Sequence, residues 1–459
     1  MSKNYKMVLW VLLLALFGYC IYFAWGAFPG ISGFGAKNLC SCLFVAVRDE
    51  KSVRQDELSV NFVKFGTYAV NKKDSSVVGS VIGLAKRKAI FRKGLGCTLV
   101  NDIAEKELRS QQFITASQPE INRDTIPWPQ GDWIKDSVSA GVDLVQLNQA
   151  INNVFSEPVP KKKIGTRAVV VLHDGKLIAE QYAPGFDRNS KMIAWSATKS
   201  ITAALIGILV KEGKLKTSEF APVPKWKDVN DPRHKIKLEH LLQQTSGLDF
   251  EEIYSKPSEV ITMLFSKGDM AEYTASRSLK NTPGTVFNYS GGNTNILQSL
   301  IRQTVGERYY HQFPYYSLFY KTGMYSALLE PDAAGTFVGS SYMFASARDF
   351  ARFGLLYYND GIFNGERILP EGWVKKSSTS STADKLKHYG YQFWINGFDK
   401  KDSSKKWYPD VPADMFFADG FGGQEIYIIP SKKLVVVRLG LNGFNENKFL
   451  KEVIAALPG

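Results

Sequence analysis

From Ser200 to Val210 no residue is charged, and the apolar side chains do not confine themselves to one stripe of a helix. A helix that is apolar all round is stable only when protein surrounds it. The chain must therefore build a domain thick enough to enclose a helix on every side. With 459 residues, 44% of them hydrophobic and 13% aromatic, it has enough material for one large domain, or for a main domain and a smaller companion.

Two hairpin patterns supply the enclosing sheet. Ala168-Val169-Val170-Val171-Leu172 and Leu177-Ile178-Ala179 flank His173-Asp174-Gly175-Lys176, and Asp-Gly between apolar runs is a strong turn signal. Near the other end, Gln424 to Ile429 and Leu434 to Gly440 flank Pro430-Ser431-Lys432-Lys433. The two hairpins predict one antiparallel sheet built from both ends of a domain. Helical patterns such as Thr294 to Gln303 and Arg348 to Tyr358 lie between them. The expected fold class is α+β: an antiparallel β-sheet flanked by helices, with a mainly helical insertion. Upstream, Gln118 to Asp132, with Pro127-Trp128-Pro129, reads as a linker or a strap on the main domain. The expected divisions are 1–36, an N-terminal membrane anchor or signal segment; 37–139, an extension and linker; and 140–459, the main domain.

Met7 to Phe28 runs without a charge after Lys3 and Lys6. Roughly 20 apolar residues span a bilayer, and the short lysine-bearing side favours staying cytoplasmic. We expect an uncleaved anchor through residues 7–28 in preference to a cleaved signal. Either way the remainder is expected to be exported, periplasmic or extracytoplasmic. In such a compartment one of Cys40 or Cys42 can pair with Cys97. Three buried thiols are the alternative, and spacing does not separate the two.

The formal charge of +13 is spread along the chain, with its densest runs at Lys161-Lys162-Lys163 and Lys432-Lys433. It reads as a solvated basic surface, and no nucleic-acid partner is expected.

The chemistry-bearing residues cluster at one end of the apolar helix. Ser196 and Lys199 stand three apart, which puts them on one helical face. Burial disfavours the lysine charge, and a neutral lysine can take the serine proton. A bare Ser-x-x-Lys is weak, and it recurs at Ser403-Ser404-Lys405-Lys406. That second copy lies in a polar, charged loop with no buried helix behind it. Tyr289, in Pro283-Gly284-Thr285-Val286-Phe287-Asn288-Tyr289-Ser290-Gly291, sits at the rim of a small-residue loop and can carry protons. Ala418-Asp419-Gly420-Phe421-Gly422-Gly423-Gln424 is glycine-rich. Gly420 and Gly422 let a substrate approach the backbone and leave N–H groups for an oxyanion. Trp394, Tyr391 and Phe421 are candidate lining aromatics. His240 reads as a structural residue of the loop before Thr245-Ser246-Gly247. No metal-ligand set and no Gly-x-Ser-x-Gly elbow is present.

Four stretches in order carry a resemblance: Trp195 to Lys199, His240 to Leu248, Pro283 to Asn295, and Ser346 to Gly354 followed by Gly361. Over roughly residues 140 to 455 the chain resembles the β-lactamase-related serine hydrolases: class C β-lactamases, DD-peptidases, esterases and 6-aminohexanoate-dimer hydrolases. The stretch with Cys40, Cys42 and Gly96-Cys97-Thr98-Leu99 is similar to an extension on some members. The resemblance implies that 140–459 is a serine hydrolase domain. Ser196 would form an acyl-enzyme with an ester or amide, and Lys199 and Tyr289 would pass protons. The backbone N–H groups of Ser196 and Phe421 would form an oxyanion hole, and no cofactor is required. Two departures narrow the substrate. Gly291 stands where many β-lactamases have Asn, and Ala418-Asp419-Gly420 stands where they carry Lys-Thr-Gly or a His variant. The cation that recognises a β-lactam carboxylate is missing, and Lys321-Thr322-Gly323 is in the wrong place to supply it. Esterase or 6-aminohexanoate-dimer hydrolase-like chemistry is expected. A catalytically weak or inactive cell-wall ligand-binding relative on the same fold is the alternative.

Overall fold

The computed structural model describes residues 3–135, 141–159 and 163–458, without the side chains of 3–6, 9, 17, 19, 20, 22 and 61. The boundary expected at 139/140 and most of the Lys161-Lys162-Lys163 run lie outside the described residues. The chain forms two compact units. The first holds residues 1–111 together with 250–270 and 332–334; the second holds 112–249, 271–331 and 335–459.

In the first unit a helix runs from Lys3 to Phe44, continuous through Pro29. Its C-terminal half lies against a four-stranded antiparallel sheet of Gly66–Asn71, Ser76–Val81, Leu84–Arg92 and Gly96–Leu99. Small residues allow the approach: a Cβ on Gly35 would collide with the Tyr68 ring, and one on Gly33 with Phe265 of the Glu259–Ser266 helix. Cys40 is joined to Cys97 with Cα atoms 6.1 Å apart, and Cys42 stays a buried thiol. The N-terminal half presents apolar side chains outward, among them Trp10, Leu12, Leu14, Leu16 and Ile21. With side chains at 9, 17, 19, 20 and 22 outside the described ones, no helix of the described residues is long and apolar enough to cross a membrane. The expected anchor through 7–28 therefore gains no support from the described residues.

The second unit is built on a six-stranded antiparallel sheet in the order Trp394–Ile395, Phe416–Gly420, Gln424–Ile429, Leu434–Gly440, Thr166–His173, Lys176–Tyr182. The first and last hairpins meet as expected, Leu434–Gly440 pairing with Thr166–His173. The first turns on Asp174 (φ 50°) and Gly175 (φ 77°), the left-handed pair that a two-residue hairpin demands. Alternation sorts the strands between two cores. Val170, Leu172, Ile426, Ile428, Val435 and Val437 face the inner one, and Val169, Val171, Tyr427, Ile429, Leu434 and Val436 the outer. Helices Leu144–Phe155 and Glu446–Ala455 cover the outer face. The Ala347–Tyr358 helix and the Thr198–Lys211 helix, hereafter the central helix, share the inner core. Every residue of the central helix from Thr198 to Leu209 is buried. Each fully buried Leu or Ile contributes roughly 1.5–3 kcal/mol, so the uncharged run at 200–210 anchors the domain.

The proline-containing segment is a strap. Trp128 Nε1 donates to the Gly175 carbonyl (3.0 Å). Arg352 donates to the carbonyls of Pro129 and Gly131 and to Asp132 Oδ1 (2.7 Å). Arg352 also pairs with Asp349 (2.8 Å) in full burial.

Candidate active site

Ser196 lies in a tight turn, Trp195–Ala197, that runs directly into the central helix. Upstream, Met192–Ile193 pairs with Met343–Ala345, and Ala194 N–H donates to the Met343 carbonyl (2.8 Å). Trp195 then takes a positive φ of 47°, a region that a bulky residue occupies only when its surroundings enforce it. Its ring is wedged edge-on between Tyr342 (6.3 Å) and Phe421 (5.9 Å). The result is a half-exposed Ser196 above a lysine that is 1% exposed. Lys199 Nζ donates to Ser196 Oγ at 3.0 Å and to the Ser340 carbonyl oxygen at 3.1 Å. Ser340 is itself held by Asn295 Oδ1, which accepts from its N–H (3.2 Å).

Tyr289 joins this pair. Lys199 Nζ lies 4.8 Å from the centre of its ring. The ring stacks on Trp394 (5.2 Å) and meets Tyr389 edge-on (5.6 Å). A buried amide network sets the loop. Gln244, with φ 60°, accepts on its side-chain oxygen from Ser290 N–H (3.1 Å) and Asn293 Nδ2 (2.8 Å). Gln392 accepts from Thr294 Oγ1 (2.8 Å) and, on its carbonyl, from Ser200 Oγ (2.6 Å), linking the loop helix to the central helix. Ser290 caps the Gly291–Val305 helix through Asn293 N–H. His240 is occupied structurally: its Nδ1 accepts from Lys237 N–H (3.2 Å) and its carbonyl from Thr245 N–H (2.7 Å).

The glycine-rich motif proves to be the end of a strand and its turn. Gly420 pairs with Gln424, and a Cβ at 420 would lie 2.1 Å from the Ala194 carbonyl oxygen. Only glycine lets this strand end touch the serine turn. Gly422 turns at φ 82°, close to the Leu441 carbonyl. Phe421 follows the strand with its ring exposed against Trp195. The geometry thus gathers Ser196, Lys199, Tyr289, Trp394 and the Gly420–Phe421 strand end. Tyr391 lies elsewhere, packed edge-on against Trp373 in the core, and burial pushes its phenol up to about 12.

The decoys separate cleanly. In the second Ser-x-x-Lys, Ser403 is exposed and Lys406 lies over the Phe398 ring, its Nζ 4.9 Å from the ring centre, in a loop away from the central helix. Lys321 pairs with Glu366 at the surface (2.5 Å). Next to Ala418, Asp419 carries a carboxyl group raised above its usual range by burial, against the opposing effects of its contact with Glu425 and of Lys199. Three participants were not legible beforehand: the Ser340 carbonyl, Gln392, and Glu425 opposite Asp419. Each acts through backbone position or strand register, which no local motif encodes.

The profile of the Beta-lactamase family matches residues 151–455. A 6-aminohexanoate-dimer hydrolase of Paenarthrobacter ureafaciens is 24% identical over 289 residues, 60% of this chain and 72% of that one. Among solved structures, a putative 6-aminohexanoate-dimer hydrolase from Bacillus anthracis superposes with a TM-score of 0.55 at 21% identity, covering 71% of this chain and 86% of that one. EstCE1, described as a hydrolase with promiscuous acyltransferase activity, gives 0.54 at 15% identity, covering 69% and 99%. These likenesses establish the α+β serine β-lactamase-type fold.

Proposed function

Because the chain belongs to the Beta-lactamase family, a family of hydrolases, we propose that it cleaves an ester or amide through a Ser196 acyl-enzyme. The observation that carries the proposal is the 3.0 Å contact between Ser196 Oγ and a lysine almost wholly withdrawn from water. Burial favours the neutral amine, which at this distance can reverse the hydrogen bond and accept the serine proton. Ser196 Oγ attacks the carbonyl carbon while Lys199 and Tyr289 take up its proton. The same proton goes to the leaving alcohol or amine as its bond to carbon breaks. Water, deprotonated along the same route, then releases the acid and restores Ser196. The Phe421 N–H, just past the strand end, and the Ser196 N–H, at the start of a helical turn where amides lack a partner one turn back, are the oxyanion donors. Gly420, Gly422 and Trp394 line the substrate path.

Ala418, on the inner face of the sheet, offers no cation. A substrate with a carboxylate at that point, such as a β-lactam, is disfavoured relative to a neutral ester or amide. A panel of p-nitrophenyl esters, short amides and a chromogenic cephalosporin, run on wild type and Ser196→Ala, decides it. Hydrolysis that survives Ser196→Ala would sink the serine mechanism. Labelling of Ser196 by a fluorophosphonate is the expected direct sign.

The same proposal places the protein outside the cytoplasm, held to the membrane by its N-terminal helix. The Cys40–Cys97 disulfide, typical of oxidising compartments, and the uncharged run at 7–28 support it. Recovery in the soluble fraction of the expressing cell would refute it.

A further inference from the structure

On the outer face of the sheet, strand register sets Asp419 opposite Glu425 and Glu425 opposite Arg438. Tyr427 follows on the same face. Glu446, from the terminal helix, closes over them and accepts from the Tyr408 hydroxyl (3.1 Å). Arg438 and Tyr427 are fully buried, and Glu425 is 2% exposed. The charges do not balance. Three carboxyl groups share this site with one guanidinium, whose N–H groups are spent on Thr166 Oγ1 and on the carbonyls of Ile164, Gly422, Gly423 and Asn442. Glu425 Oε2 has no N–H or O–H donor. Its neighbour is the Asp419 carboxyl, with which it makes a side-chain hydrogen-bonding contact. A buried carboxylate in contact with a half-buried one is repelled by it, and a buried acceptor without a donor is costly. One proton between them removes both penalties. Among the described residues no group of three or more acids, histidines or cysteines is arranged to hold a metal ion instead.

We propose that Glu425 is held as a neutral carboxylic acid donating its O–H to Asp419, and that this acid–carboxylate pair is a positioning element: it pins the Gly420 strand end beside the Ser196 turn and keeps one negative charge within electrostatic reach of Lys199. The groups acting on the pair are Lys199 from the central helix, Arg438 from the next strand, Glu446 from the terminal helix, and Tyr427 and Tyr408; Arg167 acts in turn on Arg438. The ionised Asp419 stabilises the charged form of Lys199, whereas the reaction uses the neutral amine. Asp419 therefore sets the lower pH limit of activity. This kinetic half rests on the serine mechanism proposed above; the protonation half does not.

The two halves are tested separately. Infrared spectroscopy at neutral pH on Ser196→Ala, which needs no turnover, is expected to show a protonated-carboxyl band that disappears in Ser196→Ala/Glu425→Gln. A missing band, or one that survives Glu425→Gln, overturns the acid–carboxylate pair. In the active enzyme, Glu425→Gln keeps a donor to Asp419 and is expected to hold the acid limb of the kcat/KM profile in place. Asp419→Asn removes the charge and is expected to move that limb down by roughly one pH unit. An unmoved limb in a folded Asp419→Asn, or an equal shift in Glu425→Gln, overturns the role assigned to Asp419. Hydrolysis that persists in Ser196→Ala would sink the serine mechanism alone, because the infrared result still judges the pair.

Discussion

Replacing Lys199 with Met separates chemistry from architecture. The methionine side chain is close to lysine in length, and volume-conserving swaps in a core typically cost less than about 1.5 kcal/mol. The substitution removes the hydrogen bonds to Ser196 Oγ and the Ser340 carbonyl, and the ammonium or amine over the Tyr289 ring. Leaving the Ser340 carbonyl without its donor costs about 1–3 kcal/mol. Relief of the desolvation of a lysine that is 1% exposed works in the opposite direction. Stability is therefore expected to change by no more than about 2 kcal/mol, a melting shift of a few degrees. Activity is expected to fall far more. A positioned proton-transfer group contributes about 10²–10⁴-fold, equivalent to about 3–5 kcal/mol of transition-state stabilisation. The assay is kcat/KM for a p-nitrophenyl ester on wild type, Lys199→Met and Ser196→Ala, with a thermal melt of each. A Lys199→Met enzyme within tenfold of wild type, beside an inert Ser196→Ala, would refute the lysine's role and leave Tyr289 as the base.

Tyr289→Phe keeps the ring stacked on Trp394 and loses the hydroxyl. The expected result is a native melt with activity down about 10²-fold or more, read by the same ester assay. Gly420→Ala drives a Cβ into the Ala194 carbonyl oxygen; activity is expected to fall about 10²-fold as the oxyanion donor shifts, with a lowered melting temperature. Arg352→Leu strips a buried cation from Asp132 and Asp349 and is expected to cost about 3–5 kcal/mol, measured by urea unfolding. Burial works to raise the Asp132 carboxyl, but Arg352, Arg123 and Arg348 outweigh it and hold it below the ordinary range. A lowered native value means the unfolded chain binds the proton first. That contribution is therefore present above about pH 4 and lost as pH falls through the native value. Acid unfolding should begin at higher pH in Arg352→Leu, because the cations holding that value down are fewer.

Much of this architecture is written in local pattern. The all-round apolar run at 200–210 required a buried helix, and the Asp174-Gly175 turn with its alternating flanks required a hairpin. Both are decided by side-chain periodicity within a dozen residues. The short strand Phe416–Gly420 was less legible, because its run into Asp419-Gly420 resembles a loop. The four-stranded sheet of the first unit was hidden for a related reason: strands such as Leu84–Arg92 carry consecutive basic residues, Lys86, Arg87 and Lys88, in their half-exposed part.

The sequence by itself determined which residues could do the chemistry: a serine and a lysine three apart at the mouth of a buried helix, a tyrosine in a small-residue loop, and no cation at Ala418. Tertiary structure decided the rest. It wrapped protein around the Ser-x-x-Lys copy that the uncharged run behind it had already singled out, and left Ser403 of the other exposed. It picked Cys40 over Cys42 as the partner of Cys97 by the side of the helix that faces the Gly96–Leu99 strand. It also brought the Ser340 carbonyl to Lys199 and Glu425 to Asp419. Helical spacing is local and can be read along the chain. Strand register and loop approach join residues far apart in sequence, and only the packed fold fixes them.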